Sequence, residues 1–211
     1  MDSGYIICPQ KHYVCNDCHN KGSIEAIERV TVTTKSKDPQ EIAEIMMGHP
    51  GLPMLGCQHA YIAAGALLAA IRNEGSYKIA DSDIKEAFGR LDKQAIGGFC
   101  GLTGICSVAP AIGVVFSILL GSKCGMAEEQ HVTMDAAARA SQIIADLTGP
   151  SCCKAYVRAC LSMAVGLLKD KFGLALSATN PTKPCTYVDK HPHGCRLEKC
   201  PYFGNVVRWY A

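Results

Sequence analysis

The spacing of apolar and polar residues predicts a mainly α chain. Apolar residues either recur every three or four positions, as on one buried helix face, or occupy nearly every side of a stretch. Six stretches show these patterns: 39–47, 57–73, 81–94, 108–120, 133–149 and 151–172. Because the connections between them are short, the predicted fold is a compact α-helical bundle.

Capping residues predict where several of these helices begin. Asp38 and Pro39 start the first helix, because a carboxylate accepts free N–H groups of the first turn and proline lacks an N–H. Asp81 or Ser82 is the predicted cap of the third helix. Thr133 is the predicted cap of the fifth helix.

The two ends of the chain lack a helical pattern, which divides the chain into three predicted parts. Residues 1–34 form an N-terminal module, and a short strand or ribbon is expected to end it within 27–37, where β-branched and polar residues alternate. Residues 35–176 form the helical core. Residues 177–211 form a loop-rich, cysteine-containing tail, dense in Pro and Gly, which is too short to bury a core of its own. Metal-bound thiolates are expected to pin it to the bundle.

Charge and hydropathy argue against two classes of partner. The net charge is +2 over 211 residues, without runs of basic residues, so no nucleic acid is expected to bind. The longest apolar stretch, Val108–Leu120, is shorter than the ~20 residues that cross a bilayer, so no membrane segment is expected. The first ten residues lack the apolar run of a signal peptide, which predicts a cytoplasmic location. The oligomeric state is left open.

Cysteine is the unusual feature of the composition. The chain contains 13 cysteines, an odd number, which together with the lack of an export signal favours metal or thiol chemistry over disulfides. The N-terminal module contains four residues with the spacing of a tetrahedral zinc site: Cys8, His12, Cys15 and Cys18. We predict a structural zinc ion there, with Cys15 and Cys18 on a tight turn. The alternative is free thiols on a floppy arm.

Eight other cysteines are candidate ligands of an iron–sulfur cluster, because clusters collect thiolates from distant loops. They are Cys57, Cys100, Cys106, Cys152, Cys153, Cys185, Cys195 and Cys200. Most of the five from Cys57 to Cys153 lie just before predicted helices. The free N–H groups at a helix N-terminus stabilise a thiolate. The adjacent thiols of Cys152 and Cys153 are expected to face different ways and to bind different groups. Cys124 and Cys160 are expected to be core residues instead.

Two basic residues are candidate catalytic groups beside the cluster. Lys154 follows the cysteine pair and is a candidate proton donor or anion anchor. His59 is a candidate for the same role, although a buried structural histidine is an equal alternative. In the tail, His191 and His193 are expected to be solvated loop residues, with extra metal ligands as the alternative.

Several motifs together resemble a known but uncharacterised family. After KHYVCNDCH come LGCQH, GGFCGLTGIC, TGPSCCKA and GCRLEKCPYFG. In this order they are similar to a cysteine-rich family of anaerobic archaea and bacteria, catalogued as a domain of unknown function, over nearly the whole chain. The chain departs from the family's basic residues at Ser151 and Ala155, and from an additional cysteine pair upstream. Family members are sometimes fused to radical-SAM or methyltransferase modules, so the resemblance implies a redox, radical-SAM or methyltransferase partner.

The function predicted from the sequence is that of an iron–sulfur protein of anaerobic metabolism, sulfur- or redox-related, with a cluster of the 4Fe-4S type. An iron without a protein ligand would be a Lewis acid and make the protein an enzyme, whereas two fully ligated clusters would suit an electron carrier. The main alternative is a zinc-stabilised accessory or interaction module without catalytic activity. Thiol redox catalysis by the adjacent cysteine pair is a third hypothesis.

Overall fold

The computed structural model describes residues 16–147, 149–177 and 185–204, with side chains from residue 22 onward. Within these ranges the chain forms eight α-helices, two short 3-10 helices and no strand. The α-helices are α1 (Asn16–Thr33), α2 (Pro39–Met47), α3 (Gln58–Glu74), α4 (Asp81–Leu91), α5 (Cys100–Thr103), α6 (Val108–Leu120), α7 (Ala127–Asp146) and α8 (Cys153–Phe172). The predicted mainly helical, compact bundle is confirmed for this part of the chain.

Helix α3 is the centre of the bundle. Every residue from Gln58 to Ile71 is buried, and α1, α2, α4, α6 and α8 all pack against this helix. A helix surrounded on all sides has no polar face, which explains its nearly uniform apolar sequence. At Gly65 the helices approach closely, since a Cβ there would lie 2.4 Å from the Thr31 hydroxyl oxygen of α1.

The predicted strand is wrong, because residues 27–33 form the second half of α1. Ser23, Ile27 and Thr31 are buried at a spacing of four residues, the period of a helix face. The end of α1 is held by α3, where Arg72 donates to the Thr31 and Val32 carbonyl oxygens at 2.8 and 2.9 Å. Packing on α3 therefore overrides the β propensity of this segment.

The cap of α2 is confirmed, and two other predicted caps are wrong. Asp38 Oδ1 accepts hydrogen bonds from the N–H groups of Gln40 and Glu41 at 2.8 and 3.3 Å. Helix α4 follows Ala80, whose N–H donates to Asp83 Oδ2 at 2.8 Å. Thus neither Asp81 nor Ser82 is its N-cap.

Helix α7 begins six residues earlier than its predicted cap. It starts at Ala127, and the hydroxyl of Thr133 donates to the Glu129 carbonyl oxygen at 2.8 Å inside the helix. Only Ala136 and Ala140 of this helix are buried, so its first turns carry too little apolar periodicity to be recognised. None of the described helices is long and apolar enough to cross a membrane.

The predicted zinc site lies outside the part that the structure describes. Cys8, His12 and Cys15 precede Asn16, and Cys18 lies in the first turn of α1, within the residues whose side chains are not described. The division of the chain at residues 34 and 176 likewise stays a prediction.

Candidate functional site

The eight candidate cysteines fall into two groups of four. The helix-end group consists of Cys57, Cys100, Cys106 and Cys153, and Cys100 lies close enough to raise the pKa of each of the other three thiols. The tail group, whose members line one cavity, consists of Cys152, Cys185, Cys195 and Cys200. The adjacent pair Cys152 and Cys153 is thus divided between the two groups.

The helix-end group lies where three long helices begin. Cys57 is the N-cap of α3, Cys106 lies two residues before α6, and Cys153 is the first residue of α8. The Cys153 thiol accepts a hydrogen bond from the Gly56 N–H at 3.5 Å, so the turn before α3 contacts the start of α8. Cys100, in the short α5, is the exposed member.

Burial raises the pKa of three helix-end thiols. Desolvation raises the pKa of Cys57, takes that of Cys106 to about 11 and takes that of Cys153 to about 12. Nearby thiols add to each increase. Hydrogen bonds from the Val108 and Gly56 N–H groups act the other way, because they stabilise the thiolates of Cys106 and Cys153. A metal that binds here must displace the thiol protons.

The tail group surrounds a small cavity of about 20 Å³ between the start of α8 and the tail. Arg158, Arg196 and His191 also line it. In the tail, the Leu197 N–H donates to the Cys195 thiol at 3.4 Å. Burial raises the pKa of both Cys152 and Cys200, and backbone N–H groups that donate to their sulfurs act against it.

Neither group has its thiols arranged to bind a single metal ion. Across the described ranges, no three side chains of His, Cys, Asp or Glu are placed so that they could hold one metal ion. The thiols of each group are neighbours, but an ion would have to draw them inward.

Two buried arginines connect the tail to the bundle. Arg158 of α8 forms a bidentate ion pair with Glu44 of α2, at 2.5 and 2.9 Å, and lies 5.3 Å from the ring centroid of Tyr202. Arg196 of the tail donates to the Leu147 carbonyl oxygen. Sequence reasoning missed both arginines. The only signals were a basic residue among apolar neighbours on α8 and another inside GCRLEKC.

The contacts of Lys154 join α2, α8 and the tail. Its Nζ donates to the Met47 carbonyl oxygen at 3.1 Å, and the Tyr187 hydroxyl donates to the same oxygen at 3.1 Å. The Nζ also lies 4.3 Å from the Tyr187 ring centroid. Desolvation lowers the pKa of Lys154 to about 8. These contacts give the lysine a structural task, and its predicted catalytic role stays a prediction.

His59 is completely buried beside the turn that contacts Cys153. Its Nδ1 lies 3.0 Å from the Gly56 carbonyl oxygen, which fits an Nδ1–H donor, and its Nε2 has no hydrogen-bonding partner among the described residues. Desolvation, followed by the charge of Lys154, lowers the pKa of His59 to about 3, so the ring is neutral. The histidine therefore holds the Gly56 turn, and a catalytic role for it also stays a prediction.

The remaining candidates separate clearly by exposure. Cys160 is buried, as predicted, and its thiol donates to the Ala140 carbonyl oxygen at 3.7 Å. The prediction for Cys124 is wrong, because this residue is exposed between α6 and α7. His191 lines the tail cavity, whereas His193 is exposed.

A comparison with protein families assigns most of the chain. Residues 27–203 match the model of a family described as a family of unknown function (DUF5714). The chain belongs to this family. The DUF5714 match includes every member of the helix-end and tail groups, and it confirms the predicted resemblance to an uncharacterised family. No curated protein and no solved structure matches the chain significantly.

Proposed function

We propose that the protein is an iron–sulfur electron carrier whose 4Fe-4S cluster is held by the helix-end group. The supporting observation is that four thiols from three segments of the chain lie near one another where α3, α6 and α8 begin. A cluster of four irons takes one thiolate for each iron, so the group is a complete set of ligands. The positive ends of three helix dipoles favour the negative charge of such a cluster.

The placement of these thiols suits a cluster better than a single ion. A cluster spreads its four thiolates around several irons, whereas zinc brings its ligands to one point. Cys100 is close enough to the other three helix-end thiols to raise their pKa values, yet no three of the four thiols could hold one ion. The N–H groups of Gly56 and Val108, which donate to sulfur, would also tune the potential of a bound cluster.

Electron transfer is the role that fits four protein ligands. With a thiolate on each iron, none is open to a substrate, and the Nζ of Lys154 is already bonded to the Met47 carbonyl oxygen. Cys100 is exposed and is flanked by the exposed Phe99 and Leu102, so one ligand reaches the surface where a partner could accept an electron. The family resemblance makes a radical-SAM or methyltransferase module our proposed partner.

Metal analysis of the anaerobically purified protein tests this proposal. We expect brown protein with similar amounts of iron and acid-labile sulfide, and a visible band that dithionite bleaches reversibly. Alanine at Cys57, Cys100, Cys106 or Cys153 should lower the iron content. The matched controls Cys124→Ala, at the surface, and Cys160→Ala, in the core, should leave it unchanged.

Two results would contradict the proposal in different ways. Protein that stays colourless after reconstitution with iron and sulfide would favour the accessory-module alternative. Brown protein whose spectrum changes on addition of sulfide or a small thiol would indicate an iron open to substrate, and therefore an enzyme rather than an electron carrier.

A further inference from the structure

We infer that the tail group is a second metal site, in which Cys152, Cys185, Cys195 and Cys200 hold one structural zinc ion. Cys152 comes from the end of the bundle before α8, and the other three thiols come from the tail. The ion would therefore join two parts of the chain. This site uses none of the helix-end thiols and does not depend on the proposed cluster.

The cavity has room for a single ion. The four thiols line one space of about 20 Å³, which is enough for one water-sized occupant. The thiols surround the space without meeting at one point, so zinc would have to draw them inward.

The local sequence and backbone also suit zinc. Cys195 and Cys200 are separated by four residues, within the range typical of paired zinc ligands. The Leu197 N–H donates to the Cys195 thiol at 3.4 Å, and the N–H of Tyr202 likewise donates to the Cys200 sulfur. Such donors stabilise thiolates that bind a metal.

The charges on the cavity wall complement a tetrathiolate zinc site. One Zn²⁺ with four thiolates carries a net charge of minus two, and burying that charge is costly unless cations lie nearby. Arg158 and Arg196 line the cavity, and both are buried. Glu44 neutralises part of the charge of Arg158, so the two arginines offset only part of the negative charge of the zinc site.

The tail also needs such a link, because it buries little of its own surface. Among residues 185–204, only Arg196, Pro201 and Tyr202 are buried. A loop-rich segment of this size cannot supply a hydrophobic core, and structural zinc contributes its binding free energy to folding. The site would fix the tail over the start of α8.

Zinc content of the full-length chain tests the inference. The double variant Cys195→Ser/Cys200→Ser should lose one zinc per chain relative to wild type and retain its iron and sulfide. Cys124→Ser, at an exposed thiol outside both groups, and His191→Ala, on the same cavity wall, should each keep the zinc content of wild type. Cys15→Ser measures separately any zinc in the N-terminal module. Unchanged zinc in the double variant, zinc loss in His191→Ala, or loss of iron and sulfide in the double variant would each overturn the inference.

Alkylation of the wild-type chain gives a second test that does not depend on whether a variant folds. Native protein is treated with N-ethylmaleimide before and after zinc is removed by a chelator, and labelled cysteines are identified by mass spectrometry. The four tail-group thiols should be protected together and become reactive together, while exposed Cys124 reacts from the start. Labelling of the tail-group thiols before zinc removal, or loss of protection for only some of them afterwards, would contradict a shared ion. If the proposed cluster were absent or lost, the tail-group thiols would still be protected by zinc. Failure of this inference can therefore be told apart from failure of the proposed function.

Discussion

Gly149 lies directly under the arginine that anchors the tail. Its φ is +106°, in a region that side chains with a Cβ rarely adopt. A Cβ at this position would lie 2.6 Å from Cδ of Arg196, whose guanidinium donates to the Leu147 carbonyl oxygen. The glycine therefore serves both the backbone turn before α8 and the close approach of the tail.

Gly149→Ala should destabilise the protein more than an alanine that meets only backbone strain. Strain at such a φ costs about 1–3 kcal/mol, and overpacking against Arg196 adds about 1–3 kcal/mol. Gly75→Ala is the matched control, because its φ is +99° and no atom lies within 4 Å of the added Cβ. The free energies of unfolding come from urea denaturation of the metal-loaded proteins. Equal losses in the two variants would show that the contact with Arg196 adds nothing.

Sequence reasoning could identify the candidate thiols one by one but could not divide them between two groups. A cysteine before a predicted helix is visible in the sequence, whereas the contact of Gly56 with the Cys153 thiol depends on how α3 packs against α8. The same limit applies to Arg158 and Arg196. Their burial is set by partners more than 40 residues away in the chain, and no local pattern encodes it.

At the scale of elements, the helices with continuous apolar patterns were predictable and α1 was not. The long apolar runs of α3 and α6 predict buried helices, because a helix that is buried on many sides has few polar positions. In α1 the buried face contains the polar residues Ser23 and Thr31, so its helical period is hidden in the hydropathy pattern. Only packing against Gly65 of α3 reveals why a small hydroxyl residue belongs there.

The ion pair between α2 and α8 should make a measurable contribution to stability. In Glu44→Gln, Arg158 loses its bidentate carboxylate partner, while only 5% of its side chain is exposed. Removing one partner of a buried pair costs about 3–5 kcal/mol. Because 36% of the Glu44 side chain is exposed to screening solvent, we expect a loss of about 1–3 kcal/mol by urea denaturation.

The matched control for this pair lies on α4. Glu86 pairs with Arg90 one turn away at 2.9 Å, and both side chains are substantially exposed. Glu86→Gln should therefore change the free energy of unfolding by about 0.5 kcal/mol or less. A Glu44→Gln variant as stable as Glu86→Gln would mean that the contact of α2 with α8 does not depend on this ion pair.

At the scale of the whole molecule, the densely packed bundle is joined to two thinly packed segments, which contain half of the eight candidate cysteines. Helix α3 is buried on all sides by apolar packing. Residues 96–105, which include Cys100, are all exposed, and most of the tail is exposed or half-buried. The bundle should therefore keep its fold without metals. Without metals, these two segments should each adopt several conformations.

Hydrogen exchange should show this division directly. In protein stripped of metals, amides of α3 should stay protected, because they exchange only when the bundle opens, while residues 96–105 and 185–204 exchange rapidly. In metal-loaded protein, Cys100→Ala should restore fast exchange only in residues 96–105. Cys195→Ser/Cys200→Ser should do so only in residues 185–204, because each segment would be fixed by its own thiolates. Rapid exchange of α3 in the stripped protein would instead mean that metal binding holds the whole fold, and a response of both segments to either variant would mean that the two groups form one site.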